Sequence, residues 1–261
     1  EGVQLVIDHN ALTNHVLCLL VAVASHRPTA SLFALKRFDF DTKLFAAIFK
    51  DKRCDPAHFF RYVPTADLVS EQIAQYISHV RNIADISGVN DELLRRAKRA
   101  VSGEGALFFH LTPDGTPVEL DLETWSHSLP SNWGTLPLNW GRTWLASRGR
   151  EGGIEADHLA IVLGHLEATG YPYSAESPLE PAQLSRVISA PMGQLARSAG
   201  WVTRKGLCSG SNEDTPLDEL GPLRDWRRER QSLADEAKAF QVEQRLIQRS
   251  ELRSKREQGD R

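Results

Sequence analysis

Apolar residues dominate the stretch from Leu12 to Ser25, which holds neither glycine nor proline. That pattern reads as a helix buried nearly all round. It ends at His26-Arg27-Pro28, because proline disfavours helix in the residue before it. Thr29 is then placed to cap a short helix through Leu35. Leu44 to Phe49 and Phe59 to Val63 are short runs of aromatic and aliphatic residues. The polar segment "KDKRCDPAH" separates them, as in a β-hairpin with a long turn. After Pro64, "TADLVSEQIAQYISHV" spaces Leu68, Val69, Ile73, Tyr76, Ile77 and Val80 at a helical period. Asp91 to Val101, with its "RRAKR" run, predicts a basic helix.

Gly103 to Leu138 is rich in loop residues, and at most one small hairpin is expected there, around "ALFFHLTPDGTPVEL". Helix returns at Arg142 to Arg150, stops at Gly152-Gly153 and resumes from Ala156 to Leu163. Pro181 to Ala199 is a further helix, with a bend expected at Pro191. Small and polar residues from Gly206 to Pro216 read as a linker. From Leu217 the chain is highly charged, and Leu223, Trp226, Leu233, Ala237, Phe240, Leu246 and Ile247 fall on one face of a long helix. The organisation expected is therefore a folded body over residues 1–205, a linker over 206–216 and a charged helical tail over 217–261. The fold class is α+β, mostly helical with a small antiparallel sheet.

Composition narrows the class only a little. Apolar residues at 41% and charged residues at 25% describe an ordinary globular chain with a real core. The longest apolar run, Val16 to Ala24, is too short to span a bilayer, so no membrane partner is expected. Cys18, Cys54 and Cys208 are an odd set without metal-ligand spacing, which points to free thiols in a reducing cytoplasm. A net charge of −3 excludes a wholly basic nucleic-acid coat but not an enzyme with a local basic surface. Residue 1 is Glu and the only methionine is Met192, so a preceding N-terminal part is expected.

The chemistry gathers in five places. Arg27 lies in "SHRPTASLFALKRFDFD", Lys52 in "FKDKRC", and Arg142 in "LNWGRTWLASRG". His165 and Tyr173 lie in "VLGHLEATGYPYS". Two guanidiniums and an imidazole can hold the non-bridging oxygens of a phosphodiester where charge builds up. An ammonium can protonate a departing sugar oxygen, and a tyrosine can make the covalent bond.

This ordered set resembles the catalytic domain of the tyrosine recombinases, the phage-integrase family, over roughly Leu12 to Ser174. The family's first arginine motif resembles the segment around Arg27, and its hairpin lysine falls on Lys52, with Lys50 as the alternate. Arg61-Tyr62-Val63-Pro64 is similar to its "R-x-V-P", and Asn139-Trp140-Gly141-Arg142 to its "H-x-x-R". Leu163-Gly164-His165 is similar to its "L-G-H", with His165 23 positions after Arg142. The resemblance implies a nucleophilic tyrosine eight or nine residues past that histidine. Tyr173 stands at eight, with Tyr171 as the alternate. Two positions depart from the pattern: Asn139 replaces an acid–base histidine, and Ala30 stands where an acidic residue is usual.

By that resemblance the chain is a site-specific DNA recombinase acting through a 3′-phosphotyrosyl intermediate. No metal and no nucleotide cofactor are implied. Double-stranded DNA, self-association on DNA and a cytoplasmic, nucleoid-associated place are. Arg95, Arg96, Lys98 and Arg99 form the densest basic patch in the body, a solvated face or a DNA contact. Two other readings stand beside this one: a relative that has lost cleavage and keeps DNA binding or assembly, and a helical protein-interaction module built on the C-terminal helix.

Overall fold

The apolar run near the N-terminus becomes the central helix of the fold. In a computed structural model, which describes residues 2–49, 61–85, 90–130, 136–137, 139–164 and 181–206, α1 spans Gly2–Ala22. It therefore starts ten residues before the point the pattern predicts. The early turns carry polar groups such as His9 that the hydrophobic pattern discounts. His9 and Thr13 are fully buried, bonded to partners on other elements. At 21 residues and a mean hydropathy of 1.4 over its best window, α1 is long and apolar enough to cross a bilayer by length and composition. Of that window, 56% is buried inside the fold.

α2 (Ala30–Phe33) follows, and Thr29 takes the N-cap position without a capping side-chain bond. Its Oγ1 instead meets the Ser31 hydroxyl at 2.8 Å. A three-stranded antiparallel sheet comes next, from β1 (Phe40–Asp41), β2 (Ala46–Phe49) and β3 (Arg61–Pro64), in the order β1-β2-β3. The hairpin is the expected one, with Ala46 opposite Pro64 and Phe49 opposite Arg61. Its first strand starts two residues late because Asp41 turns the chain: its carboxylate accepts the Lys43 and Leu44 amides, and Phe45 takes a φ of 50°.

α3 (Asp67–Asp85) is the helix read from its period, and α4 (Asp91–Ser102) the basic helix read from its "RRAKR" run. Asn90 caps α4, accepting the Glu92 amide at 2.8 Å. The small hairpin is β4 (Phe109–Leu111) with β5 (Pro117–Glu119). α5 (Leu122–Ser128) lies where only loop is expected. Asp121 starts it by accepting the Thr124 amide at 2.7 Å, and Trp125 anchors it edge-on to Phe33. α6 (Trp140–Glu151), α7 (Ala156–Leu163) and α8 (Pro181–Ser198) complete the described fold. α8 continues through Pro191. The expected linker and tail lie outside the described residues except Gly206. The described architecture is mostly helical with small antiparallel sheets, an α+β arrangement.

α1 contacts β4, α3 and α6, while α8 covers α3 and β3. One contact fixes how α6 meets α1. A Cβ built on Gly141 would stand 2.2 Å from the Val21 carbonyl oxygen and 3.0 Å from the Ala22 Cα. Only a residue without a side chain lets these two backbones approach so closely.

A buried polar network crosses the core beside α1. His9 Nε2 reaches the Phe109 carbonyl at 3.0 Å, so that nitrogen donates, and Nδ1 faces His79 Nε2 at 3.2 Å. The Thr13 hydroxyl bonds Tyr76 Oη at 3.0 Å, and His110 Nε2 donates to Asn14 at 3.0 Å. Burial pushes His9 down to about 3, with the neighbouring His79 adding to it, and burial pushes His79 and His110 down to about 4.

Two predictions follow from this packing. Gly141→Ala should cost at least about 2 kcal/mol in chemical denaturation, because the new methyl meets backbone that cannot move aside. At an unconstrained helical site the same change would stabilise by up to about 1 kcal/mol, so the sign of the effect decides. The histidines set the second. They stay neutral in the fold but protonate below about 6.5 once unfolded, so stability is full above that pH and falls as the solution is acidified toward 4. Each contributes a slope of up to roughly 1.4 kcal/mol per pH unit. A urea midpoint unchanged between pH 7 and 5 would show that these imidazoles are protonated in the native core.

Candidate active site

The first turn of α6 brings the candidate site together. Gly141 sets the helix against the end of α1, and the next residue, Arg142, turns inward and is only 8% exposed. One terminal nitrogen of Arg142 donates to Ser25, to its hydroxyl at 3.2 Å and its carbonyl at 3.4 Å. The other donates to the Leu163 carbonyl at the end of α7. Gly164 then takes a left-handed conformation, φ 64°, and closes α7 immediately before His165. One guanidinium thus ties the loop that carries Arg27 to the residue two places before His165.

Ser25 holds an uncommon backbone state for a residue with a side chain, φ 59°, while fully buried. Such strain persists only where surrounding contacts fix it, and the Arg142 bonds do so. His26 follows, also fully buried. Its Nδ1 lies 2.6 Å from the Arg27 carbonyl, which can only accept, so Nδ1 carries the proton. Its ring meets Phe49 edge-on at 4.4 Å between centroids. Phe49 is the last residue of β2, at the mouth of the segment holding Lys50 and Lys52. Arg27 itself is exposed. Two peptide units separate it from Ser25, so its Cα lies within about 7.6 Å of the residue that Arg142 grips.

Asn139 occupies the N-cap of α6 but makes no capping bond through its side chain. Asparagine is among the best capping residues, so an exposed carboxamide left out of that task is able to meet a ligand. Lys50, Lys52, His165, Tyr171 and Tyr173 lie outside the described residues. The structure brings together Arg142, the Arg27 loop and the backbone that leads into both the lysine segment and His165.

The basic patch on α4 divides. Arg95, Lys98 and Arg99 are exposed, as a solvated face or a DNA contact requires. Arg96 departs from that expectation. It is buried, donates to the Ala106 and Phe108 carbonyls at 2.8 and 3.2 Å, and meets both carboxylate oxygens of Glu119. Its guanidinium also lies 4.5 Å from the centre of the Phe109 ring. Helical geometry explains the split, since position 96 shares its face with the apolar Leu93, Ala97 and Ala100.

Ser25 and His26 are site residues that motif reasoning passes over. Their signal was present as a polar pair between an apolar helix and a proline. No metal-ligating group of three or more His, Cys, Asp or Glu occurs among the described residues. No protein-family model, curated protein or solved structure matches the chain.

The division of α4 is open to measurement. Arg96→Gln should cost about 2 kcal/mol or more, because it strips donors from buried carbonyls. Arg95→Gln, Lys98→Gln and Arg99→Gln should each stay within about 0.5 kcal/mol of the parent. Equal costs at all four positions, read from urea midpoints, would contradict the buried assignment of Arg96.

Proposed function

We propose that the protein is a tyrosine-recombinase-like DNA strand transferase. The observation that carries this reading is the junction at Arg142. A single buried guanidinium joins the loop of the first arginine motif to the end of the helix that precedes the Leu-Gly-His motif, with the mouth of the lysine hairpin packed alongside. Segments far apart in sequence but sharing one resemblance meet at one place in the fold.

On this reading Tyr173 Oη attacks the scissile phosphorus, gives up its phenolic proton to solvent and forms a 3′-phosphotyrosyl bond. The bond to the 5′ oxygen breaks, and Lys52 supplies that oxygen with a proton. Arg27, Arg142 and His165 hold the non-bridging oxygens, with the Asn139 amide adding a hydrogen bond. The phosphotyrosyl ester keeps the energy of the broken diester, so rejoining by a 5′-hydroxyl consumes no nucleotide. Arg95, Lys98 and Arg99 extend a basic face for the duplex, and several copies assemble on it.

A second reading has its own support: Asn139 cannot move a proton as histidine does, and Arg142 already donates to protein carbonyls. On that reading the chain binds DNA without cutting it. Incubation with nicked suicide fragments drawn from the source genome, followed by denaturing gels, separates the two. A covalent protein–DNA adduct is expected for the parent and for Tyr171→Phe, and none for Tyr173→Phe. Loss only in Tyr171→Phe would move the nucleophile two residues. DNA binding that weakens steeply with salt but gives no adduct would favour the non-cleaving relative. Absence of salt-dependent binding would sink both.

A further inference from the structure

The opposite side of α6 carries a second feature. Trp140 and Trp144 lie four residues apart on one face of the helix, with Arg142 on the other. They line a groove of about 670 Å³, closed by α1, the end of α5 and the segment from Ala199 to Arg204. That volume falls in the range of small-molecule sites, roughly 300–1,000 Å³. Trp201 adds a third indole to the wall. Three of the six tryptophans in the chain thus gather around one opening.

The wall is held in place before any ligand arrives. Gln72 bonds both backbone groups of Arg204, donating to its carbonyl at 2.9 Å and accepting its amide at 2.7 Å. His15 Nε2 donates to the Val202 carbonyl at 2.9 Å, and Thr203 donates to Glu71 at 3.0 Å. The His15 ring lies 5.7 Å from that of Trp201. A preformed wall spares a ligand the cost of ordering it.

Among the described residues, the charge lining the groove has one sign. No Asp or Glu among them lines it, and Arg204 has no ion-pair partner among them. Its guanidinium is close enough to His15 to oppose protonation there, an effect second to burial. Trp144 makes no ring contact or hydrogen bond among the described residues, so its indole is available for stacking. Aromatic walls alone would also suit a quaternary ammonium, but the arginine disfavours a cation.

We propose that this groove binds a flat aromatic molecule bearing a carboxylate or phosphate, its ring against Trp144 and its anion on Arg204. The site stands apart from the strand-transfer reading and does not rest on it. Calorimetric titration of the full chain at pH 7.5 with indole-3-acetate and with adenosine 5′-monophosphate tests the two anion sources, and tryptamine serves as a cation on the same indole ring. At least one anion should bind with a Kd on the order of 1 mM or tighter, and tryptamine at least about tenfold more weakly. Arg204→Gln should weaken the anion about tenfold or more without lowering the thermal midpoint, since its side chain is exposed, and Arg204→Lys should restore part of the loss. Trp144→Leu should weaken it as well. A response to the carboxylate alone, the phosphate alone or both supports the site and names the source. Failure of both anions to bind, equal binding of tryptamine, or an affinity unchanged in Arg204→Gln overturns it.

Discussion

A helix that ends inside a protein leaves carbonyl groups facing away from water, and each needs a donor. In this chain two helices, α1 and α7, end close to one another, and Arg142 reaches the chain at both ends. It donates to Ser25, three residues past α1, and to Leu163, the last residue of α7. A lysine offers a point charge on a flexible stem and lacks the planar fork that serves two separated acceptors together. The arrangement also depends on Gly141, because any larger residue would hold α6 away from Val21 and carry the guanidinium out of reach. Glycine and arginine, adjacent in sequence, therefore act as one device. The first permits the approach and the second satisfies the groups that the approach buries.

The placement of the surrounding loops follows from that device. Ser25 keeps its positive φ because Arg142 bonds both its carbonyl and its hydroxyl, and the turn presents His26 to Phe49 and leaves Arg27 in solvent. The sheet enters through the same contact, since Phe49 ends β2. A local polar bond is thereby converted into the relative position of four elements. The buried histidines do similar work nearer the N-terminus, where His9 links α1 to α3 through His79 and to β4 through Phe109.

Much of this architecture was legible in the sequence, for reasons that can be named. The period of α3, the basic run of α4, the paired apolar runs of β2 and β3, and the Gly152-Gly153 break between α6 and α7 are strong local signals, and the fold follows them. The failures have equally local causes. α1 begins before Leu12 because His9 and Thr13 are buried through bonds that hydrophobicity does not register. α5 was hidden in a loop-rich stretch, although Asp121 followed by Glu123 is a helix-start signal. Arg96 was grouped with its basic neighbours, yet one helical position is enough to turn it from solvent to Glu119. In the candidate site, Arg142 was singled out by motif, whereas Ser25 and His26 were not. Their importance lies in contacts that motif spacing does not show: with Arg142, more than a hundred residues away, for Ser25, and with Phe49 at the end of β2 for His26.

The burial of Arg142 bears on which reading of the site is the stronger. A guanidinium has five N–H donors in one plane, and the bonds to Ser25 and Leu163 fix that plane against rotation. For an arginine meant only to close the core, fixing is the whole role. For one meant to receive phosphate it is also preparation, because a cation already desolvated and oriented has little reorganisation left to undergo when negative charge develops nearby. The neighbours are what favours the second description. A purely structural arginine needs no second cation in solvent two residues beyond its own acceptor, nor a helix cap whose side chain declines to cap. Arg27 and Asn139 provide these, on the same loop as Ser25 and on the same helix turn as Arg142. On the strand-transfer reading proposed above, those two exposed polar groups, more than the buried one they flank, are what a phosphate would meet first.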